Sequence, residues 1–117
     1  TCLQPMYNIL KRQVEVEILP MARSEGFKVC PYSPLGGGLL TGMYADGAAG
    51  RITDDPMYAS RYAPTWMHEA ATGLSEIALD AGVAPATLAV AWAAAWTATQ
   101  LPRRSERSAP ARSRCLT

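Results

Sequence analysis

Two periods of apolar residues alternate along the first third of the chain. Thr1–Tyr7 (TCLQPMY) has extended character and predicts a strand ending in a turn around Asn8. Arg12–Glu25 changes to helical spacing, with Val14, Ile18 and Met21 at i, i+4 and i+7 and Ala22 beside them. Pro20 conflicts with a helix interior, so the helix either starts near Glu17 or kinks at the proline. Gly26 suits the position just past a helix end. Phe27–Tyr32 (FKVCPY) returns to the two-residue period and predicts a second strand. Strand, helix and strand in about 30 residues form a βαβ unit, whose two strands run parallel.

The pattern then loosens. Ser33–Gly42 (SPLGGGLLTG) is rich in glycine, and Met43–Pro64 shows little periodicity around Gly47, Gly50, Pro56 and Pro64. An irregular stretch of that length predicts a lid or a binding loop. Thr65–Ala81 is helical, with Met67, Ala70 and Ala71, Leu74, Ile77 and Ala78, and Ala81 on one stripe closed by Gly82. Pro85 opens a further helix through Leu88, Val90 and Trp92 to about Trp96, apolar nearly all round and so expected to be buried on several sides. From Thr97 the periodicity fails, and no internal repeat is visible. The reading is therefore α/β, with two parallel strands and three helices. Such a pair of strands cannot make a stable sheet alone, which predicts a segment of a larger α/β fold. The opening at Thr1, directly in a strand-like run, agrees with that expectation.

Composition narrows the class. Apolar residues make up 49% of the 117 and charged residues 18%, enough apolar surface to exclude wholesale disorder. No apolar run approaches the ~20 residues of a membrane helix, and no signal peptide is recognisable. Residues 1–100 carry six basic and nine acidic side chains, whereas 101–117 carry five arginines against Glu106 alone. The body therefore lacks the footprint of a nucleic-acid binder. The basic 97–117 tail reads as a disordered end. Cys2, Cys30 and Cys115 are odd in number and far apart, without metal-ligand spacing. Cys30 reads as a small core residue, and a reducing, cytoplasmic setting is expected.

Candidate chemistry gathers behind the second strand. Glycines Gly36, Gly37 and Gly38 lie beyond the carboxyl end of a parallel strand, where α/β folds hold ligands. Such a run can bring backbone N–H groups close to phosphate oxygens, or it can be a flexible turn. It is neither a P-loop nor G-x-G-x-x-G. Tyr32 could stack on a flat ring or simply pack; Gln4 could bond an amide or be satisfied structure. Arg51 could pair with a phosphate or be solvated. His68, the sole histidine, has no nucleophile or metal partner nearby and is assigned no role. Trp66, Trp92 and Trp96 read as core or interface anchors.

Together QPMYNILKR (Gln4–Arg12), EILPMARSEG (Glu17–Gly26), YSPLGGGLLTG (Tyr32–Gly42) and GVAPATLAVAW (Gly82–Trp92) resemble the C-terminal part of the aldo-keto reductases. The resemblance covers roughly Thr1–Ala95 and implies the C-terminal portion of a (β/α)₈ barrel that reduces aldehydes or ketones with NADPH. It makes Thr1–Tyr7 the sixth strand and Phe27–Tyr32 the seventh, and residues 1–96 a partial barrel. It further implies that Gln4 bonds the nicotinamide carboxamide and Tyr32 stacks on the nicotinamide ring. Ser33, Pro34, Leu35, Gly36 and Gly37 would wrap the pyrophosphate, with Arg51 reaching a phosphate. The family's catalytic Asp, Tyr, Lys and His lie on earlier strands, so no catalytic residue is assigned here and the isolated chain is expected to be inactive. Met43 stands where the family usually has lysine. An eighth strand and a G-x-R-S-type segment are replaced by WTATQLPRRSERSAPARSRCLT, which reads like GC-rich DNA translated out of frame. A small carbonyl compound is the partner expected of the parent enzyme, with no nucleic acid or membrane. A non-catalytic nucleotide-binding or regulatory subunit and a gene remnant are the other readings.

Overall fold

A computed structural model describes residues 1–100. Two short strands, β1 (Cys2–Leu3) and β2 (Lys28–Val29), pair in parallel, with Cys2 opposite Lys28 and Leu3 opposite Val29. The same offset recurs at an isolated parallel bridge between Met6 and Tyr32. One register therefore runs from Cys2 to Met6, although the regular strands are shorter than the periodicity suggests. Its parity divides the ladder into two faces. Leu3, Tyr7 and Val29 turn toward the helices and are buried or half-buried, whereas Cys2, Gln4, Lys28, Cys30 and Tyr32 are exposed. The reading of Cys30 as a core residue is therefore wrong: the offset puts it on the open face with Cys2. There the neighbouring Cys2 thiol pushes the Cys30 thiol above its ordinary range.

Between the strands, a 3-10 turn (Gln13–Glu15) leads into α1 (Ile18–Glu25). Pro20 stands at the third helical position, inside the first turn where no intrahelical N–H bond is required. Of the two readings of the proline, the late helix start holds. Gly26 closes the helix in the left-handed conformation, with φ of 69°.

The segment predicted to be irregular is mostly ordered into single turns. After 3-10 turns at Leu39–Thr41 and Met43–Asp46 come α2 (Arg51–Asp54) and α3 (Pro56–Arg61). Asp55 caps α3 by accepting from the Met57 N–H, and Pro56 occupies its first position. With α4 (Thr65–Asp80) and α5 (Pro85–Gln100), the described residues hold five α-helices rather than three.

Helix α4 buries Met67, Ala71, Leu74 and Ala78, and its axis meets that of α5 at 101°. Among the described residues no single helix is long and apolar enough to cross a membrane. Helix α5 joins two cores. Ala89 packs with Leu10, Leu39, Leu40, Tyr62 and Leu74, while Trp92 packs on Tyr7, Val14, Leu19, Ala22 and Val29. The predicted many-sided burial of α5 does not hold among the described residues, since Val90 and Trp96 are 45% and 38% exposed. The helix also continues past Thr97, which is buried and donates to the Ala93 carbonyl. The remainder of the predicted 97–117 tail, from residue 101, lies outside the described residues. Trp66 is 53% exposed and anchors no core.

At the second core Arg12 forms a bidentate ion pair with Glu15 at 2.8 and 2.9 Å. Its guanidinium lies 5.3 Å from the Trp92 ring and 5.4 Å from that of Trp96. Tyr7 donates its phenol proton to the same Glu15. Burial and the adjacent carboxylate push the Tyr7 hydroxyl well above its usual range, and the Arg12 bond draws the Glu15 carboxyl below its own.

Candidate functional site

The site begins at a buried asparagine. Leaving the ladder, the chain turns at Asn8, whose side-chain oxygen accepts from the Leu10 and Lys11 N–H groups at 2.9 Å each. Its amide nitrogen donates to the Ser33 carbonyl at 2.9 Å and to the Tyr62 hydroxyl at 3.2 Å. A fully buried amide must be satisfied, and Asn8 spends both its ends doing so. It thereby ties three distant stretches together. Ser33 is held at φ 57°, a left-handed conformation costing a non-glycine residue on the order of 1 kcal/mol or more. The Asn8 bond to its carbonyl helps to hold it there. Tyr62 is fully buried, and burial pushes its hydroxyl above the ordinary range.

From Ser33 the loop coils through left-handed glycines. At Gly37, φ is 65° and a Cβ would lie 3.0 Å from the Tyr58 ring, so both conformation and space require glycine. Among the described residues the N–H groups of Leu35, Gly37 and Gly38 have no acceptor. Tyr44 braces the loop from outside, donating to the Gly37 carbonyl at 3.0 Å and accepting from the Ile52 N–H at 3.2 Å. Gly50 passes so close that a Cβ there would meet the Tyr44 hydroxyl at 2.6 Å.

These contacts leave a cavity of about 540 Å³ lined by Tyr32, Ser33, Pro34, Leu35, Gly37 and Arg51, with Met43, Tyr44 and Tyr58. The Arg51 guanidinium lies 5.5 Å from the Tyr58 ring centre and contacts its hydroxyl at 3.4 Å. A cation, backbone N–H groups without partners and a half-exposed aromatic ring thus surround one space. That combination can hold an anionic group beside a planar one.

Six of the eight residues singled out in the sequence meet at this cavity. Gly36 does not: it is buried, and a Cβ there would meet the Tyr62 ring at 3.4 Å, so it seats the loop on the core. Gln4 lies off the cavity too, but the register puts it on the same exposed ladder face as Tyr32. Sequence reasoning missed Asn8, Tyr44, Tyr58 and Tyr62. The tyrosines carried one signal, for three large aromatic residues within a stretch read as irregular imply packing. His68 donates through Nε2 to the Tyr62 carbonyl and so caps the turn before α4.

Sequence similarity to known proteins places the chain in a family. The model of the aldo/keto reductase family matches residues 1–108. A probable voltage-gated potassium channel subunit beta from Arabidopsis thaliana is 37% identical over 100 residues, covering 78% of this chain and 30% of that protein. An aflatoxin B1 aldehyde reductase member 2 from Mus musculus is 54% identical over 44 residues, covering 38% of this chain and 12% of that protein. A putative channel subunit beta from Schizosaccharomyces pombe is 34% identical over 96 residues. The chain thus spans less than a third of the length of each of these relatives. With the family model matched over most of its length, the chain belongs to the aldo/keto reductase family.

Proposed function

We propose that the cavity behind β2 holds NADP(H), and that this chain is the coenzyme-positioning part of a reductase of aldehydes or ketones built on a (β/α)₈ barrel. The observation that carries this reading is the convergence of Tyr32, Ser33, Pro34, Leu35, Gly37 and Arg51 on one space in a member of a family that generally uses this coenzyme. The residues fit such a ligand. Leu35, Gly37 and Gly38 offer N–H donors and Arg51 a cation for phosphate oxygens, while Tyr32 offers a ring face. Gln4, on the Tyr32 face, supplies an amide able both to donate and to accept. A bound dihydronicotinamide supplies hydride to a carbonyl carbon. The chain's own residues orient and hold; none is assigned the proton transfer, so turnover by this chain alone is not expected.

Titration of the purified chain with NADPH, followed by calorimetry, tests the reading. Saturable binding weakened about tenfold by Arg51→Ala supports it, a loss matching one charge-assisted pair. Absence of binding, or an Arg51→Ala variant that binds equally well, sinks it. NADPH oxidation by the same sample with a generic aldehyde would contradict the non-catalytic assignment.

A second reading is a binding or regulatory subunit, favoured by the channel subunit beta relatives that align over about three quarters of this chain. Coenzyme binding without turnover is common to both. A stable complex with a partner protein, retained in Arg51→Ala, would favour the second.

A further inference from the structure

A second cavity of about 470 Å³ lies behind the first, between the Leu39–Asp46 turns and α4, with Met43 and Tyr44 as the shared wall. Its chemistry is the reverse of the first. Among the described residues that line it there is no lysine or arginine, and its one carboxylate, Asp46, is exposed.

The hydroxyls of the lining have their protons already engaged. Thr72 donates to the His68 carbonyl at 3.1 Å, and Ser75 donates to the Ala71 carbonyl at 3.1 Å. Both oxygens are left with lone pairs and nothing to donate. His68 has its Nε2 proton engaged in the same way, donating to the Tyr62 carbonyl at 2.8 Å. The cavity therefore offers acceptors and a negative charge, with apolar walls from Leu39, Ala71 and Pro85.

We infer that this second cavity binds a small primary alkylammonium ion, its three N–H donors facing Asp46, Thr72 and Ser75 and its alkyl stem lying on Leu39 and Pro85. An inorganic anion would meet the Asp46 carboxylate and no lysine or arginine in the lining. A neutral alcohol of equal length fills the apolar wall but lacks the charge that Asp46 complements. The inference is independent of what occupies the first cavity.

Hexylammonium chloride and hexanol, titrated separately into the ¹⁵N-labelled full chain, test it. The expected result is saturable shifts confined to the amides of residues 39–46 and 68–75, with hexanol binding at least fivefold more weakly. Asp46→Asn should bring hexylammonium to the level of hexanol, a fold-change within the range of one exposed ion pair. Asp46 is exposed, so this near-isosteric change leaves the fold intact. Ser75→Ala, which removes one acceptor, should weaken hexylammonium by about twofold and leave hexanol unchanged. Equal binding of the two probes, an unaltered Asp46→Asn affinity, or shifts centred elsewhere would each overturn the inference.

Discussion

Replacing Asn8 tests whether one buried amide assembles the loop. In Asn8→Ala the Leu10 N–H, buried in the first core, loses the side-chain oxygen that accepts from it. An orphaned buried donor costs about 1–3 kcal/mol. Two further bonds vanish, to the Ser33 carbonyl and the Tyr62 hydroxyl, at roughly 1 kcal/mol each. Two neighbours are spared: the Lys11 N–H still reaches the Asn8 carbonyl, and the Ser33 carbonyl still accepts from the Gly36 N–H. The sum is about 3–5 kcal/mol, a large part of the ~5–15 kcal/mol that holds a small domain together. With a urea slope of about 1.5 kcal/mol/M the midpoint should fall by roughly 2–3 M, or the variant should fail to fold. Asn8→Asp separates loop from fold. It keeps both acceptors for Leu10 and Lys11 but opposes an oxygen to the Ser33 carbonyl. Its cost should be about 1–2 kcal/mol, and the Gly36 amide, bonded to that carbonyl, should exchange faster while the Lys11 amide does not. Urea unfolding followed by tryptophan fluorescence, with amide exchange on Asn8→Asp, gives both numbers. An Asn8→Ala midpoint within about 0.5 M of wild type, or uniform exchange across the Asn8→Asp loop, would refute the reasoning.

Two other perturbations probe separate parts of the molecule. Gly50→Ala drives a methyl group against the Tyr44 hydroxyl and should detach Tyr44 from Gly37 and Ile52, a loss of about 1–2 kcal/mol in urea accompanied by weaker NADPH binding. Because its folded pKa is lowered, the Glu15 carboxylate contributes stability that is present above its unfolded value near ~4.3 and lost as pH falls through the folded value. Thermal unfolding between pH 5 and 3 should therefore show a smaller fall for Glu15→Gln than for wild type, and equal slopes would dismiss the Arg12–Glu15 pair as a contributor.

The βαβ unit was legible because alternation and helical spacing follow directly from which faces must be dry. Pro20 narrowed α1 to two readings, a late start or a kink, and the structure takes the first, with the proline in the first turn where it is tolerated. Cys30 misled for a complementary reason: an apolar neighbourhood in sequence does not say which face of a strand is covered, and only the pairing offset decides that. The turns between Leu39 and Arg61 were illegible because they are too short to carry a period. Contacts that close over long separations hold them, Tyr44 to Gly37 and Ile52, Tyr62 to Asn8, and those contacts leave no local mark. Tyr32, Ser33, Pro34, Leu35 and Gly37 of the first cavity stood together in one motif, whereas Tyr44 and Tyr58 carried no such mark and Asn8, which organises the loop, looked like any turn asparagine.

The bonds that Asn8 makes also order events during synthesis. Its partner Ser33 lies 25 residues downstream, and Tyr62 lies 54 residues downstream. The longer closure costs only about 0.7 kcal/mol more in chain entropy, so thermodynamics alone barely ranks the two. Translation ranks them strictly. A nascent chain emerging as far as Gly42 has its ladder, α1 and the Asn8–Ser33 tie, but its glycine loop has no tyrosine beneath Gly36. The loop can be seated on its tyrosine only after Tyr62 has left the ribosome, and its apolar underside at Leu39 and Leu40 is completed only when Met67, Leu74 and Ala89 follow. For this chain the vulnerable interval of biosynthesis therefore runs from the emergence of the glycine loop to that of Ala89 in α5.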